Sequence, residues 1–298
     1  MRTLLKRLFL CMFALILAGC QINEKPDKKN EPPIGTKEAA KSVQVLIIGI
    51  DSRGEEKSRS DVILIAQYNP VKKTIKLASI MRDTYVKIPT YSKGYNKINT
   101  AYYLGGKDLL VQTIKENFGI GVDHVVTIDF QGFTHVVDAI APEGIEVDVT
   151  EAMIKDMDLQ LQPGMQPLHG EQLLKYVRFR HDRESDFGRV KRQQEVMVKL
   201  KDKLSNEMSS MEQIASLPKL AEGAMKYVES DLSVSQILSL SSLVFLHSIN
   251  QVETMTIPVE QGFENMTYEH AGAVLQPNMP KNIEALNGFF NMPEAVNN

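Results

Sequence analysis

The chain of 298 residues has no tryptophan and only two cysteines, Cys11 and Cys20. Two thiols cannot build a disulfide framework, nor can they close a structural zinc site alone. The six histidines fall in no HExxH pattern, so that metalloprotease signature is absent. Excess positive charge is absent too: 34 Lys/Arg stand against 37 Asp/Glu, a formal net charge of −3. With no Trp and no aromatic–basic module, this argues against a nucleic-acid binder. What is present, 43% hydrophobic and 24% charged residues with ordinary Gly and Pro, is globular composition. The length suffices for one large domain or two small ones, with a real core.

The N-terminus stands apart from this background. Arg2, Lys6 and Arg7 precede an apolar run of eleven residues, Leu8 to Ala18, and small residues follow. That is a signal-peptide pattern, too short for a stable membrane span. Leu17-Ala18-Gly19-Cys20 is similar to a bacterial lipobox, which implies cleavage before Cys20 and its acylation. The alternatives are a signal peptide with an incidental Cys, or an uncleaved anchor helix. Residues 21–42, polar and carrying Pro26, Pro32, Pro33 and Gly35, read as a flexible tether. If Cys11 leaves with the signal and Cys20 carries lipid, the folded body has no thiol for nucleophilic or redox chemistry. Residues 1–42 hold eight Lys/Arg and four Asp/Glu, a net of +4, which leaves −7 for the body.

In the body, Val43–Ile50, Val62–Tyr68 and Thr74–Ile80 are apolar, β-branched runs of strand length, with Tyr85–Ile88 a shorter one. Gly105-Gly106 breaks the chain before helical spacing over Lys107–Phe118. Strands are expected at His124–Ile128, Ile145–Val149 and Val252–Ile257. Helices are expected at Phe130–Ile140, Asp186–Leu204 and Val234–His247. Strands interleaved with helices mean layered α/β structure. No composition break divides 43–298, so 43–205 is expected to be a catalytic core and 206–298 the C-terminal part of the same domain.

Charged residues cluster beside these strands. Asp51 follows the first, Asp61 enters the second, and Arg82-Asp83 follows the third. Ligands of open α/β sheets bind at the carboxyl ends of strands. Asp51 and Asp61 are oxygen donors of the kind Mg²⁺ takes beside a phosphate, although an isolated Asp is more often a turn residue or a cap. Their company is the segment 178–192, where six Lys/Arg face three acids, a local +3 in an acidic body. Arg178 and Arg180, two apart, share a side of an extended segment. Asp186, Arg189 and Gln193, three and four apart, share a helix face. Converging guanidiniums suit a phosphate or pyrophosphate. The plain alternative is a solvated basic face, but Phe179 and Phe187 give the stretch apolar partners.

The segments GIDSR, RSD, SIMRDT, KINTAY-x-GG, IDF-x-GF-x-x-VVDAI and YVRFRHDRESDFGRVKRQQ resemble the LytR-CpsA-Psr family over about residues 45–200. The resemblance implies an αβα sandwich around a central mixed β-sheet. It implies transfer of an anionic glycopolymer, teichoic acid or polysaccharide, from an undecaprenyl-pyrophosphate carrier to peptidoglycan, with Mg²⁺ or Mn²⁺ as cofactor. Asp51 and Asp61 then match the metal-associated carboxylates, and Arg82, Arg178 and Arg180 the pyrophosphate-binding arginines. Asp186, Arg189 and Gln193 match the motif helix, and Lys97 the KIN segment. Arg53, Asp83, Asn99 and Tyr102 fall in matching motifs with less defined roles. Most relatives have Pro where this chain has Met81, which is expected to loosen the turn before Arg82. They also have Gly-Gly-Val where it has Ala141-Pro142-Glu143-Gly144-Ile145.

The resulting expectation is a lipoprotein on the outer face of the bacterial membrane, anchored through Cys20. Phosphoryl transfer needs position and charge neutralisation, and Arg82, Arg178, Arg180 and Arg189 are the residues to supply them. Asp51, Asp61 or Asp83 would take the acceptor proton. Helices Leu109–Phe118 and Phe130–Ile140 are the candidates for a lipid groove, although plain core is the commoner use of any one of these side chains. The competing expectations are a non-catalytic binder of polyprenyl phosphates or wall polymers, and a polyprenyl-pyrophosphate hydrolase.

Overall fold

Three apolar, β-branched runs joined by short connections pair with one another as a meander. In the computed structural model, which describes residues 42–51, 58–207, 226–233, 235–237 and 251–291 with Gly223 and Ile249, these are β1 (Val43–Ile50), β2 (Ser60–Asn69) and β3 (Thr74–Ile80). A small hairpin follows, β4 (Tyr85–Lys87) with β5 (Tyr95–Lys97). Then come α1 (Asn99–Phe118), β6 (His124–Asp129) and α2 (Phe130–Ile140). Next are β7 (Ile145–Val149), α3 (Glu151–Met157), β8 (Gly164–Leu168), α4 (Gly170–Arg178) and α5 (Ser185–Glu207). The remainder holds β9 (Val228–Ser230), β10 (Gln251–Ile257), β11 (Phe263–Tyr268), β12 (Gly272–Pro277) and α6 (Met279–Phe290).

The main sheet has the order β10-β3-β2-β1-β6-β9. β1, β2 and β3 run antiparallel in sequence, whereas β6 joins β1, and β10 joins β3, in parallel. The sheet is therefore mixed and the layers are α/β, as the sequence leads one to expect. Because β1, β3, β6 and β10 all point the same way, their carboxyl ends share one rim.

Pleating sorts the strand side chains. Leu46, Ile48, Ile63, Ile65, Ala78 and Ile80 go to one face, where Leu110, Ile114 and Phe118 of α1 and Leu286 and Phe290 of α6 cover them. A second core forms away from that face. It joins the β7–β8 hairpin to α2, α4 and α5 through Val137, Val147, Leu173, Phe179 and Val196.

Some boundaries differ from expectation. α1 begins at Asn99 and passes through Gly105 (φ −146°, ψ 21°) and Gly106 (φ 64°, ψ −155°) as a kink, so the glycines bend the helix where a break was expected. The positive φ of Gly106 is what a glycine permits. α4 and the β11–β12 hairpin carry no long apolar period and were not anticipated. The expected signal peptide with Cys20, the tether up to Lys41, Arg53 and most of the helix expected over Val234–His247 lie outside the described residues.

Candidate active site

At the shared rim the sheet's second face borders a cavity of about 490 Å³. Gly49, Val62, Leu64 and Ser79 form its floor, with Ile47 and Ile128 beside them. Phe130 and Phe133 of α2, Leu174 and Val177 of α4, and Val196 and Met197 of α5 complete an apolar wall. Of the two helices expected to form a lipid groove, only Phe130–Ile140 contributes. Leu109–Phe118 lies in α1, whose apolar residues Leu110, Ile114 and Phe118 are committed to the core on the other face.

Charged residues enter the same cavity: Asp51, Asp61, Asp129 and Asp156, with Arg82, Lys175, Arg178, Arg180 and Arg189, and the amide of Gln193. Asp61 is there because of an irregularity. Gly49 pairs with Val62 and Ile50 with Ser60, so Asp61 is the extra residue of a β-bulge. In regular alternation Asp61 would share the core face of Ile63 and Ile65; the bulge re-aims it. A Cβ on Gly49 would come within 2.8 Å of Val62 Cβ, so this approach of the two strands needs glycine.

Arg82 Nη1 donates to Asp61 Oδ1 at 2.5 Å, and its Nε lies 3.5 Å from Asp83 Oδ2. Lys97 Nζ lies 2.8 Å from the other oxygen of Asp83. Burial alone would lower the Arg82 pKa, but the hydrogen bond to Asp61 and the charges of Asp61, Asp83 and Asp186 raise it. Asp83 is the mirror case. Burial would raise its pKa, yet the Lys97 hydrogen bond and the charges of Arg82, Lys97 and Arg189 hold it below the ordinary value. Neither Asp83 nor Lys97 lines the cavity; they stand beside Arg82 and orient it. Asp186 likewise sits outside the lining, 3.2 Å from Arg189 Nη2.

Arg189 is only 6% exposed. Its pKa is pushed down, first by burial and then by the nearby charge of Arg82, with Asp186, Asp61 and Asp83 only partly offsetting this. Nε of Arg82 and of Arg189 are both buried without a hydrogen-bond partner among the described residues. Two desolvated, mutually repelling guanidiniums are relieved by an anion placed between them.

Arg178 ends α4, and Phe179 follows with extended dihedrals. The extended segment expected for Arg178 and Arg180 is thus a helix terminus, because Gly170–Arg178 carries its buried residues Leu173, Tyr176 and Val177 at helical spacing. Both side chains still reach the cavity. Arg178 lies with Cζ 4.2 Å from the Phe130 ring centre and Nη2 3.9 Å from Asp51 Oδ2. Arg192, from the same basic run, is committed elsewhere: it donates to Asp182 and to the Phe179 carbonyl. Gln193 donates to the Val177 carbonyl, and Gln194 to Ser79 Oγ and the Met255 carbonyl. Met81, expected to loosen the turn, instead donates its N–H to the Ile257 carbonyl at 2.8 Å, a bond proline cannot make. Asn99 N–H donates to the Arg82 carbonyl, and the Tyr102 hydroxyl bonds Thr127.

Asp51 and Asp61 are hard oxygen donors at one cavity. Among the described residues no group of three or more His, Cys, Asp or Glu forms a self-sufficient cage. Two carboxylates suit Mg²⁺, which keeps waters and completes its shell with substrate phosphate. The residues present fit the ion.

Sequence reasoning missed Asp129, Asp156 and Lys175. Asp129 was findable: it ends β6 at the rim where Asp51 follows β1, and its carboxylate caps α2 through the Gly132 N–H. Asp156, 2.7 Å from His181 Nδ1, belongs to no motif.

A model of the LytR_cpsA_psr family matches residues 12–287. The regulatory protein MsrR of Staphylococcus aureus is 37% identical over 248 residues, covering 83% of this chain and 74% of that protein. The polyisoprenyl-teichoic acid–peptidoglycan teichoic acid transferase TagV of Bacillus subtilis is 33% identical over 245 residues, 79% of this chain and 59% of that protein. The structure of the LytR-CPS2A-psr family protein YwtF (TagT) with bound octaprenyl pyrophosphate lipid superposes with a TM-score of 0.63 at 30% identity. It covers 88% of this chain and 92% of that one.

Proposed function

The chain belongs to the LytR-CpsA-Psr family, and from that membership and the cavity we infer that it transfers an anionic glycopolymer from a polyprenyl-pyrophosphate carrier to peptidoglycan. One observation carries the reading. Four arginines, among them the buried Arg189 whose pKa is pushed down, and a wall of apolar side chains line the same cavity. A pyrophosphate attached to a polyprenyl chain presents both chemistries at once. Undecaprenyl is the carrier we assign.

A sugar hydroxyl of peptidoglycan attacks the sugar-side phosphorus. The new O–P bond forms as the bond from that phosphorus to the bridging oxygen breaks, and polyprenyl phosphate leaves. Arg82, Arg178, Arg180 and Arg189 neutralise the charge that spreads over the phosphoryl oxygens. Asp83 and Lys97 fix the Arg82 fork, and Asp186 and Gln193 fix the neighbourhood of Arg189 and α4. Asp83, engaged by two cations, positions Arg82, and the acceptor proton passes to a carboxylate lining the cavity. Asp51 and Asp61 are the residues that would hold Mg²⁺ or Mn²⁺, which when bound lowers the charge on the phosphates as a Lewis acid.

Among the described residues no helix is long and apolar enough to cross a membrane. Acylation at Cys20 is our assignment for the anchor, holding the body on the outer face of the membrane.

The test mixes the full chain with a lipid-linked polymer precursor, Mg²⁺ and a peptidoglycan oligomer. A covalent polymer–glycan product supports the transferase. Phosphate release without that product indicates a hydrolase, and tight binding with neither indicates a carrier.

A further inference from the structure

On the transferase reading the donor fills the cavity of about 490 Å³, and a glycan strand has to approach from outside it. An aromatic column is built on the two hairpins that contact Asp83, one of them through Lys97. Tyr268 of β11 stacks on Tyr85 of β4 with ring centres 4.5 Å apart and planes 16° apart. Tyr95 of β5 stacks on Tyr85 at 5.7 Å and 27°. His270 Nε2 lies 3.2 Å from the Tyr85 hydroxyl and 3.0 Å from the Tyr95 carbonyl. Tyr95 ends this column with 46% of its surface exposed, far more than packing requires, and Met266 on the same hairpin as Tyr268 is 41% exposed.

The column is joined to the site on both sides. Tyr85 pairs with Lys97, and Tyr95 is two residues before Lys97, so all three side chains leave the same face of the β4–β5 hairpin. Lys97 is the residue that grips Asp83. The β11–β12 hairpin bonds the Asp83 carbonyl through the Leu275 N–H at 3.0 Å, and its Phe263 stacks on Phe187 of α5 at 5.5 Å. Phe187 is two residues from Arg189. None of the column residues lines the cavity.

We propose that Tyr95, Tyr85, Tyr268 and His270 form the binding face for the acceptor, a strand of β-linked amino sugars, and deliver its hydroxyl towards Arg82. Pyranose rings present a face of C–H groups to an aromatic ring and hydroxyls to a phenol edge, which is what a partly exposed tyrosine column offers. The proposal rests on the transferase reading for the word acceptor, and on the column alone for glycan binding.

The experiment titrates the full chain with a peptidoglycan oligosaccharide of alternating N-acetylglucosamine and N-acetylmuramic acid. Tyrosine emission reports directly, because the sequence has no tryptophan. Losing one stacking ring is expected to weaken binding about three- to tenfold in Tyr95→Ala. Tyr95→Phe retains most of the affinity, and Tyr268→Ala loses it as Tyr95→Ala does. In transfer assays the KM for the oligosaccharide rises while the KM for the lipid donor stays. Wild-type affinity in Tyr95→Ala and Tyr268→Ala, or no oligosaccharide binding by the wild type, overturns the proposal. Product formed by the wild type with an unchanged acceptor KM in Tyr95→Ala overturns it too, and leaves the transferase standing. Oligosaccharide bound through Tyr95 with no product formed overturns the transferase and leaves the glycan face standing.

Discussion

The two faces of the central sheet are built from alternate residues of the same strands, yet they end in opposite states. Leu46, Ile48, Ile63 and Ile65 meet α1 and α6 in a filled core. Ile47, Gly49, Val62 and Leu64, one step along the same strands, border a cavity. The covering elements account for the difference. α1 and α6 present Ile114, Phe118, Leu286 and Phe290 to the sheet. α2, α4 and α5 instead spend much of their apolar surface on the β7–β8 hairpin. They are held to the sheet by polar ties such as Gln194 to Ser79 and Met255. Small residues on the floor, Gly49 and Ser79, keep the space open. One face is a filled core, and the other borders a hollow.

The sharpest way to break this comparison is at the arginines. Arg82→Ala and Arg178→Ala are each expected to cut transfer about 10²–10³-fold, by the worth of one transition-state charge partner, with the circular dichroism spectrum unchanged. Undiminished turnover in both variants would mean that the hollow face is not the reactive one. On the filled face the effect moves to stability: Phe118→Ala is expected to lower the unfolding free energy by about 3–5 kcal/mol, read by denaturant titration. Gln194→Ala should cost about 1–3 kcal/mol, because the part-buried Met255 carbonyl and the buried Ser79 hydroxyl lose this donor. Ile47→Ala, at a wall that already borders space, should cost less than about 2 kcal/mol while weakening binding of the lipid donor. A cost equal to that of Phe118→Ala would show the two faces to be equally packed.

The smallest expected effect is on pH dependence. Asp83 is held below its ordinary pKa of 3.8. Its ionised form therefore stabilises the fold fully above that value, and the contribution is lost as pH falls through the lower folded value. Unfolding free energies of wild type and Asp83→Asn should differ by a constant amount from neutral pH down to about 5, and converge below 3.8. A gap that widens on acidification would refute the sign.

Much of this was legible in the residues. β-branched runs of strand length mark β1, β2, β3, β6 and β10 because branched side chains suit a pleated surface. Arg82, Arg178, Arg180, Arg189 and Gln193 all enter the cavity, whereas Arg192 of the same basic run does not. The error over Arg178 and Arg180 has a physical origin: nine residues of α4 are too few for a clear period to emerge from propensity alone. The two helices named as groove candidates part company, Leu109–Phe118 in the core and Phe130–Ile140 at the cavity, because an apolar helix face looks the same whether it fills a core or borders a void. Lys97 and Asp83 were found as motif members, but that they serve Arg82 from outside the cavity follows from contacts alone.

The sequence by itself determined the mixed α/β layers, the carboxyl-end location of the charges, and the identity of the arginines that line the cavity. These follow from local pattern, where pleat and helix period act over a few residues. Tertiary structure decided three things. It turned Asp61 into the cavity through a bulge of one residue, which leaves no periodic trace. It set Arg82 and Arg189 close enough to repel, though they are distant in the chain. And it stacked Tyr268 on Tyr85 by bringing two hairpins together, a contact across more than half the chain whose partners carry no local signal of each other.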